Sequence, residues 1–525
     1  MKKLVSIALA GALSLATLTA TGCGNNGTGN GGGGNPTTIE ITFWRSGMGD
    51  AYMNQIIKAF EAKYPEYTVE FNSETTNTAI PDNIMNGAKY NTVDLYFEVN
   101  PSYSLYEYLE PLDDVLNMVN QGESKTVSQK ISKSLLDNYV SYDGKYYTLP
   151  YGGGVCGLVY NVDLMGSREL PNTTDELRNL VFDLYTAYES NNCKPFIYFN
   201  GGYWEYLYNI WHAQYDGLDY YYNTYSTLGQ SKSVLGTENE NPSKEVLTKK
   251  DGRFKALQVL EILLNSQYVV AGSNSSTHTD AQTKFINGKA VMMCNGAWMN
   301  NEMKTATSTY KNFSIMRTPV ISSIIDNLTD VKTDALLSAT IDVVDKVVDG
   351  AMAESDVKQP DGTYLIGETA ICASDWNRIY EARNIIWENY SQHGTCIPNY
   401  SDAKEGAKKF IAFYYSDEAQ KIMNNETHMS LPFAFDNPAN EPNVDSWSTF
   451  EKTMYNFSKK YNMVGLVDGR RSLVFTAGGA GDFAYVNFVG ELSQQQGAKT
   501  AEQIWTEIEE AFNTNWSTYL SSARI

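Results

Sequence analysis

The chain has 525 residues, 61 acidic against 40 basic, and a formal charge of −21. That balance excludes a nucleic-acid surface, which needs clustered Lys and Arg against phosphates, and the length implies at least two domains. Aromatics are plentiful, with 37 Tyr and 9 Trp, while the six cysteines form no C-x-x-C and the four histidines no H-E-x-x-H, so no zinc signature is present.

Lys2 and Lys3 precede an apolar run from Leu4 to Ala20, followed by Thr21-Gly22-Cys23. So short a run with a small-residue exit reads as a secretory signal over 1–22 rather than a spanning helix. Cys23 after a glycine resembles a bacterial lipobox, with Ala20 where that pattern usually carries Leu. Residues 23–38 then read as a lipidated Cys and a Gly/Asn-rich tether of roughly 20 Å r.m.s. reach. Loss of Lys2 and Lys3 with the signal takes the charge to −23, 38 basic residues against 61 acidic.

IEITFW (39–44) alternates like a half-buried strand, and Asp50 is placed to cap a helix bearing Met53, Ile57, Phe60 and Tyr64 on one face. YTVEF (67–71) and VDLYF (93–97) read as further strands, separated by a polar helical stretch. Strands alternating with helices imply a parallel sheet with ligands beyond its carboxyl ends. Trp44 and Arg45 stand at one such end, Glu98 and Asn100 at another.

Residues 143–161, DGKYYTLPYGGGVCGLVYN, hold Gly152, Gly154 and Gly157 in a G-x-G-x-x-G pattern. A dinucleotide loop needs a strand before it and a helix after it. Here Pro150 interrupts the approach and Leu158-Val159-Tyr160 continue as strand, so no cofactor is expected. Asp175 and Glu176, at the fingerprint's acidic distance, read as a helix start. The middle of the chain is helical and aromatic, as in GGYWEYLYNIWHAQYDG (201–217); 320–370 reads as a mostly polar, helical insertion. Residues 401–425 form an amphipathic helix pair carrying Ala403, Ala407, Phe410 and Ile411, and the C-terminus is a helix with Trp505, Ile508 and Phe512 on one face. The five cysteines after the signal, Cys156, Cys193, Cys294, Cys372 and Cys396, leave one or two disulfides open.

Several segments together resemble the family 1 extracellular solute-binding proteins, the sugar-capturing lipoproteins of ABC importers. IEITFWRSG with YMNQIIKAFEAKYPEYTVEF is similar to that family's opening strand, helix and strand. VDLYFEVNPSYSLYEYLEPLDDVL, DGKYYTLPYGGGVCGLVYNVDLM, NTTDELRNL, KFINGKAVMMCNGAW and AKKFIAFYYSDEAQKIM follow in the family's order. The resemblance implies a two-lobed α/β periplasmic-binding-protein-like fold, each lobe a mainly parallel sheet flanked by helices, with the ligand in the interlobe cleft and closure by hinge motion. Applied here, the first lobe is 39–150 plus about 395–435 and the second is 151–394 plus about 436–525, with the insertion near 320–370.

Sugars are held by aromatic faces against ring C–H groups and by planar polar groups against hydroxyls. Trp298, in NGAWMN, matches the family tryptophan that stacks on sugar, and Asn295 stands just before it. The other candidates are Trp44, Arg45, Glu98, Asn100, Tyr151, Tyr203 and Trp204, with Asp482 and Phe483 in FTAGGAGDFAY (475–485); Trp376 competes with a packing role. Gly152, Gly153 and Gly154 are the candidate hinge. The resemblance implies an exported monomer, lipid-anchored through Cys23 on the outer face of the cytoplasmic membrane, that captures a carbohydrate and delivers it to membrane-embedded ABC permease subunits, without catalysis, cofactor, metal or nucleic acid. Two other readings compete. A secreted glycoside hydrolase would need two facing carboxylates, and no pair stands out among the 61 acids. A receptor for an anion or a peptide is the third; an anion would ask for more cationic side chains than Arg45.

Overall fold

The strand expected over 39–44 is present but begins and ends two residues earlier, at Thr37–Thr42. In the computed structural model, Ile39 and Ile41 of this strand are wholly buried under the helix Ala51–Lys63, which turns Tyr52, Met53, Ile56, Ile57 and Phe60 inward. Losing a ring such as Phe60 from that face would cost about 3–5 kcal/mol. Asp50 occupies the N-cap position, yet its backbone is helical and its side chain makes no capping bond. The structure describes residues 36–43, 47–72, 80–89, 91–99, 103–141, 143–188, 192–200, 202–225, 248–304, 312–390, 393–429, 433–465 and 486–522. Residues 1–36 and 37–525 are separate units, and the second is described here. Cys23 and the tether as far as residue 35 lie outside the described residues, while Thr37 and Thr38, counted with the tether, open the first strand.

The strands in chain order are β1 (Thr37–Thr42), β2 (Tyr67–Phe71), β3 (Leu95–Val99), β4 (Leu149–Pro150), β5 (Val155–Asn161), β6 (Lys194–Phe196) and β7 (Ala290–Gly296). They continue with β8 (Phe313–Ile315), β9 (Tyr364–Ile366), β10 (Thr369–Ile371), β11 (Ile385–Glu388), β12 (Gly394–Cys396) and β13 (Asn462–Val464). One sheet runs β2-β1-β3-β12-β4 and the other β13-β11-β5-β7-β6, with β8 also on β5. This is the two-lobed α/β plan. Both sheets are mixed, however, where mainly parallel ones were expected. β1 pairs in parallel with β2 and β3, but β12 is antiparallel to both β3 and β4. In the second sheet β5 is antiparallel to β7, β8 and β11, while β6–β7 and β11–β13 are parallel. The reason is connectivity: the chain leaves the first sheet by β4 and returns by β12, so those neighbours must run in opposite directions.

Between β4 and β5 only Tyr151–Gly154 separate the two sheets in sequence, and Asn389–His393 form the return between β11 and β12. The two passages are stitched together. Tyr151 N donates to His393 O at 3.1 Å, Asn389 N to Gly154 O at 3.1 Å, and Gly154 N to Asn389 Oδ1 at 2.8 Å.

The insertion is ordered around the helix Asp334–Val348, whose Leu337, Ile341 and Val344 enter the second lobe's core, and around the β9–β10 hairpin. Trp376 stacks on Tyr364 with centroids 4.5 Å apart and planes at 7°, so it packs the insertion. Asp345 joins Arg383 (2.7 Å) and Arg317 into one partly buried charge group beside Tyr461. All five described cysteines are free thiols, so the disulfides left open by the sequence are not formed. No described helix is long and apolar enough to cross a membrane.

Candidate functional site

Strand β7 is buried along its whole length and delivers Trp298 to the carboxyl edge of the second sheet, at the start of the turn Met299–Glu302. The indole folds back over Gly296, where an added Cβ would lie 2.2 Å from its ring, so only glycine fits there. Trp298 is 8% exposed. Tyr203 meets it edge to face, with centroids 5.4 Å apart and planes at 77°. The Tyr203 ring stacks on Tyr206 at 4.9 Å and 12°, and Tyr206 in turn lies over Trp387 at 6.1 Å and 23°. Four rings from three stretches of chain thus form one aromatic corner. Such rings offer flat faces and edges of the kind sugar C–H groups pack against.

The loop after β1 closes on this corner from the first sheet. A Cβ on Gly47 would stand 2.8 Å from the Trp298 Cβ, and one on Gly152 would stand 2.7 Å from the Met48 methyl. The loop therefore touches both the aromatic corner and the passage between the sheets.

Polar groups flank the rings. Glu302 accepts a 2.9 Å hydrogen bond from Gln282 Nε2 and lies 3.6 Å from His278 Nδ1. Burial pushes the His278 imidazole pKa down, against the pull of Glu302. Glu205, in the first turn of the helix Glu205–Asp216, is half-buried, and its burial lifts the carboxyl to about 7 against the modest opposing effect of its own backbone N–H. Burial also raises Tyr203, helped by the charges of Glu302, Cys156 and Glu205.

Trp298 and Tyr203 are brought together, but three other sequence candidates lie in the core. Trp204 is 0% exposed and packs edge-on against Phe196 at 5.3 Å. Asn295 is fully buried and spends its Oδ1 on the Gly296 N–H at 2.8 Å. Tyr151 packs against Phe97 at 5.2 Å, and its carbonyl accepts from the Tyr414 hydroxyl. In this structure each of the three points into a packed face. Trp44, Arg45, Asn100, Asp482 and Phe483 lie outside the described residues, as does the Glu98 side chain, although Glu98 itself falls in β3. The sequence reading missed Tyr206, Trp387, Glu205, Glu302 and the Gly47-Met48 contact. The Gly47-x-Gly49 pair just past a strand was the one available signal, a loop free to approach another surface.

Two carboxylate clusters have ligand atoms close enough for a metal, His212–Asp216–Asp251 and Asp330–Cys372–Asp375. Their oxygens are already engaged. Asp251 is clasped by Arg253 at 2.6–3.1 Å, Asp216 accepts Gly252 N at 2.7 Å, and Asp375 takes the N–H groups of 329–331 at 2.7–3.0 Å. These are loop and helix staples. A groove of about 810 Å³ is lined by Asn300, Asn301, Lys304, His428 and Glu451, on the far side of the same Met299–Glu302 turn's residues 300 and 301.

The family model for bacterial extracellular solute-binding proteins matches residues 46–421. Among solved structures, a chitin oligosaccharide binding protein superposes with TM-score 0.57 at 16% identity, over 92% of this chain and 99% of its own. The solute-binding protein RafE in complex with raffinose gives 0.53 at 16%, over 91% and 99%. A probable secreted solute-binding lipoprotein from Streptomyces coelicolor gives 0.58 at 12%, over 91% and 99%. No curated protein matches the sequence. At these identities the structural likeness speaks for the fold.

Proposed function

The chain belongs to the bacterial extracellular solute-binding proteins, and from that membership we propose that it captures a carbohydrate, an oligosaccharide by preference, for an ABC importer. The observation that carries this reading is the Trp298–Tyr203 pair, two rings at 77° where β7 ends and where the loop of Gly47 arrives from the other sheet. One ring supports the apolar side of a sugar while the other borders its edge, and Glu302 with its Gln282 partner supplies acceptors and donors for hydroxyls. The ligands of similar structures, chitin oligosaccharide and raffinose, support a sugar over a peptide or an anion.

Binding between the sheets favours the closed arrangement by its differential contacts. Gly152, Gly153 and Gly154 are the proposed bending point, with lobes of 39–150 plus about 395–435 and 151–394 plus about 436–525. The receptor acts without catalysis, is exported, is anchored through Cys23 on the outer face of the membrane, and presents both lobes to a permease. Trp44, Arg45, Glu98, Asn100, Asp482 and Phe483 remain proposed further contacts.

The test is a glycan panel read by melting temperature and tryptophan fluorescence. Stabilisation and quenching by oligosaccharides recovered intact are expected. No response to any sugar would overturn the carbohydrate reading, and cleavage of the bound glycan would replace it with the hydrolase. Loss of membrane association on Cys23→Ser tests the anchor.

A further inference from the structure

The turn Met299–Glu302 follows Trp298 directly, and its Asn300 and Asn301 line the groove of about 810 Å³. That volume lies within the span usual for small-molecule sites. Most of the remaining wall comes from the end of the helix Asp417–Thr427 and from residues 446–451, where the helix Thr449–Lys460 begins.

The polar groups of this wall are held from behind. Asn300 Nδ2 donates to Glu451 Oε1 at 2.5 Å and Asn301 Nδ2 to Thr427 O at 2.9 Å, so each amide is fixed with its carbonyl oxygen left over. His428 Nδ1 lies 3.1 Å from the same Glu451 oxygen, which assigns the ring proton to Nδ1 and makes Nε2 an acceptor. The ring also stacks on Trp447, with centroids 4.9 Å apart and planes at 16°, while the His428 side chain stays 37% exposed. Its backbone is left-handed, φ +52, a conformation that costs about 1–3 kcal/mol and clusters at ligand clamps.

Three acceptors thus meet in one groove: Asn300 Oδ1, Asn301 Oδ1 and His428 Nε2. Among the described residues none of them accepts a hydrogen bond. Asn425, exposed in the last turn of its helix, and the hydroxyls of Ser446 and Thr449 add groups that both donate and accept. Acceptors in that number call for a ligand rich in donors. The carboxylates do not call for a cation, because Glu451 is engaged by Asn300, His428 and the Ser448 N–H at 2.7 Å, and Glu426 accepts from Gln55 Nε2 at 2.6 Å. Lys304 also lines the groove, but an anion drawn to it would meet the lone pairs of Asn300, Asn301 and His428. Neutral hydroxyls suit the whole set, with the imidazole face beside ring C–H groups.

We propose that this groove is a second saccharide site, separate from the aromatic corner, which takes a neutral sugar through Asn300, Asn301, Asn425 and His428. The proposal does not depend on what the aromatic corner binds.

The experiment labels the whole chain at its four histidines and follows the His428 ring by NMR during titration with glucose, trehalose, raffinose and glucuronate. Loss of one signal in His428→Gln assigns it. Saturable movement with the neutral sugars is expected, with Kd in the millimolar range or tighter, and it should persist in Trp298→Ala. Asn425 is exposed and makes no side-chain hydrogen bond among the described residues, so Asn425→Ala keeps the fold and should weaken the titration about three- to tenfold. No saturable movement with any neutral sugar overturns the proposal. Movement that vanishes in Trp298→Ala also overturns it, since it would report the corner through the shared turn. Tighter binding of glucuronate than of glucose overturns the neutral class, and an unaltered titration in both Asn425→Ala and Asn301→Ala places the sugar elsewhere. None of these failures touches the carbohydrate reading of the corner, which the glycan panel tests by itself.

Discussion

Gly47 stands against Trp298 so closely that a Cβ added to the glycine would lie 2.8 Å from the Cβ of the tryptophan. Gly47 follows the first sheet's β1 and Trp298 follows the second sheet's β7, so this contact is where the two sheets' carboxyl edges touch. Its neighbour cannot yield cheaply, since the clash is with a Cβ fixed to the end of a buried strand.

Gly47→Ala should therefore hold the two lobes apart. The residue also has φ +70, a backbone region that costs an alanine about 1 kcal/mol. Gly49→Ala is the matched control, with φ +73 but nothing within 4 Å of its Cβ. We expect the first variant to lose about tenfold in ligand affinity, a shift of roughly 1.4 kcal/mol, and to show a larger radius of gyration by X-ray scattering in the presence of ligand. The control should lose stability only. Equal behaviour of the two would reduce the Gly47 contact to a turn requirement.

Trp298→Ala should lower affinity by roughly 10- to 100-fold, the range of a buried aromatic anchor. Trp376→Ala separates binding from stability. That ring stacks on Tyr364 within the insertion, so its removal should lower the melting temperature and leave affinity unchanged. Calorimetry and thermal melts of both variants check this, and an intact affinity in Trp298→Ala would remove the tryptophan from the site.

Part of this arrangement was legible in the sequence. The TTIEIT strand and the Ala51–Lys63 helix followed from apolar spacing alone, because each has one face on the core and one toward solvent. The motif around Trp298 drew attention to that residue. Tyr203 and Trp204 could not be separated, since adjacent aromatics at a helix start carry no periodicity that says which one packs against Phe196. Trp387 hid within the apolar run of β11, and Glu205 carries no signal beyond that of an acid in a helix's first turn. The first sheet's antiparallel members were invisible for another reason: β4 has two residues and β12 three, too few to show alternation.

The Glu205 carboxyl gives a pH signature. Its pKa rises from 4.5 to about 7 on folding, chiefly through burial. An acid whose folded pKa lies above its unfolded value favours the folded state while protonated. That contribution is complete below about pH 4.5 and is lost as the pH climbs to about 7. Glu205→Gln stays neutral throughout, so it should match the wild type at low pH and exceed it in stability above neutrality. Partial solvent contact trims the full linkage value to about 1–2 kcal/mol. Ligand-free melts across this pH range are the measurement, and a stability difference that does not change with pH would refute the assignment.

The last prediction concerns the passage between the sheets, where three consecutive glycines are not equivalent. Gly153 has φ +112, and a Cβ there would lie 2.9 Å from both the N and Cα of Tyr390 and 3.0 Å from Asn389 Oδ1. Those backbone atoms belong to the returning passage, which Gly154 and Asn389 tie to this one by hydrogen bonds of 2.8 and 3.1 Å. Gly153→Ala must therefore either strain its own backbone or part the two passages, at a cost of roughly 2 kcal/mol or more. At Gly152 an added Cβ meets only the Met48 thioether, whose methyl can swing away. Gly152→Ala should thus fold with near wild-type stability, and any effect should be on ligand affinity through the Met48 contact. Denaturant unfolding and calorimetry on the pair distinguish a structural glycine from one that only leaves room for the closing loop. Comparable destabilisation by the two substitutions would show that the passage responds to lost backbone freedom in general, not to the Tyr390 contact.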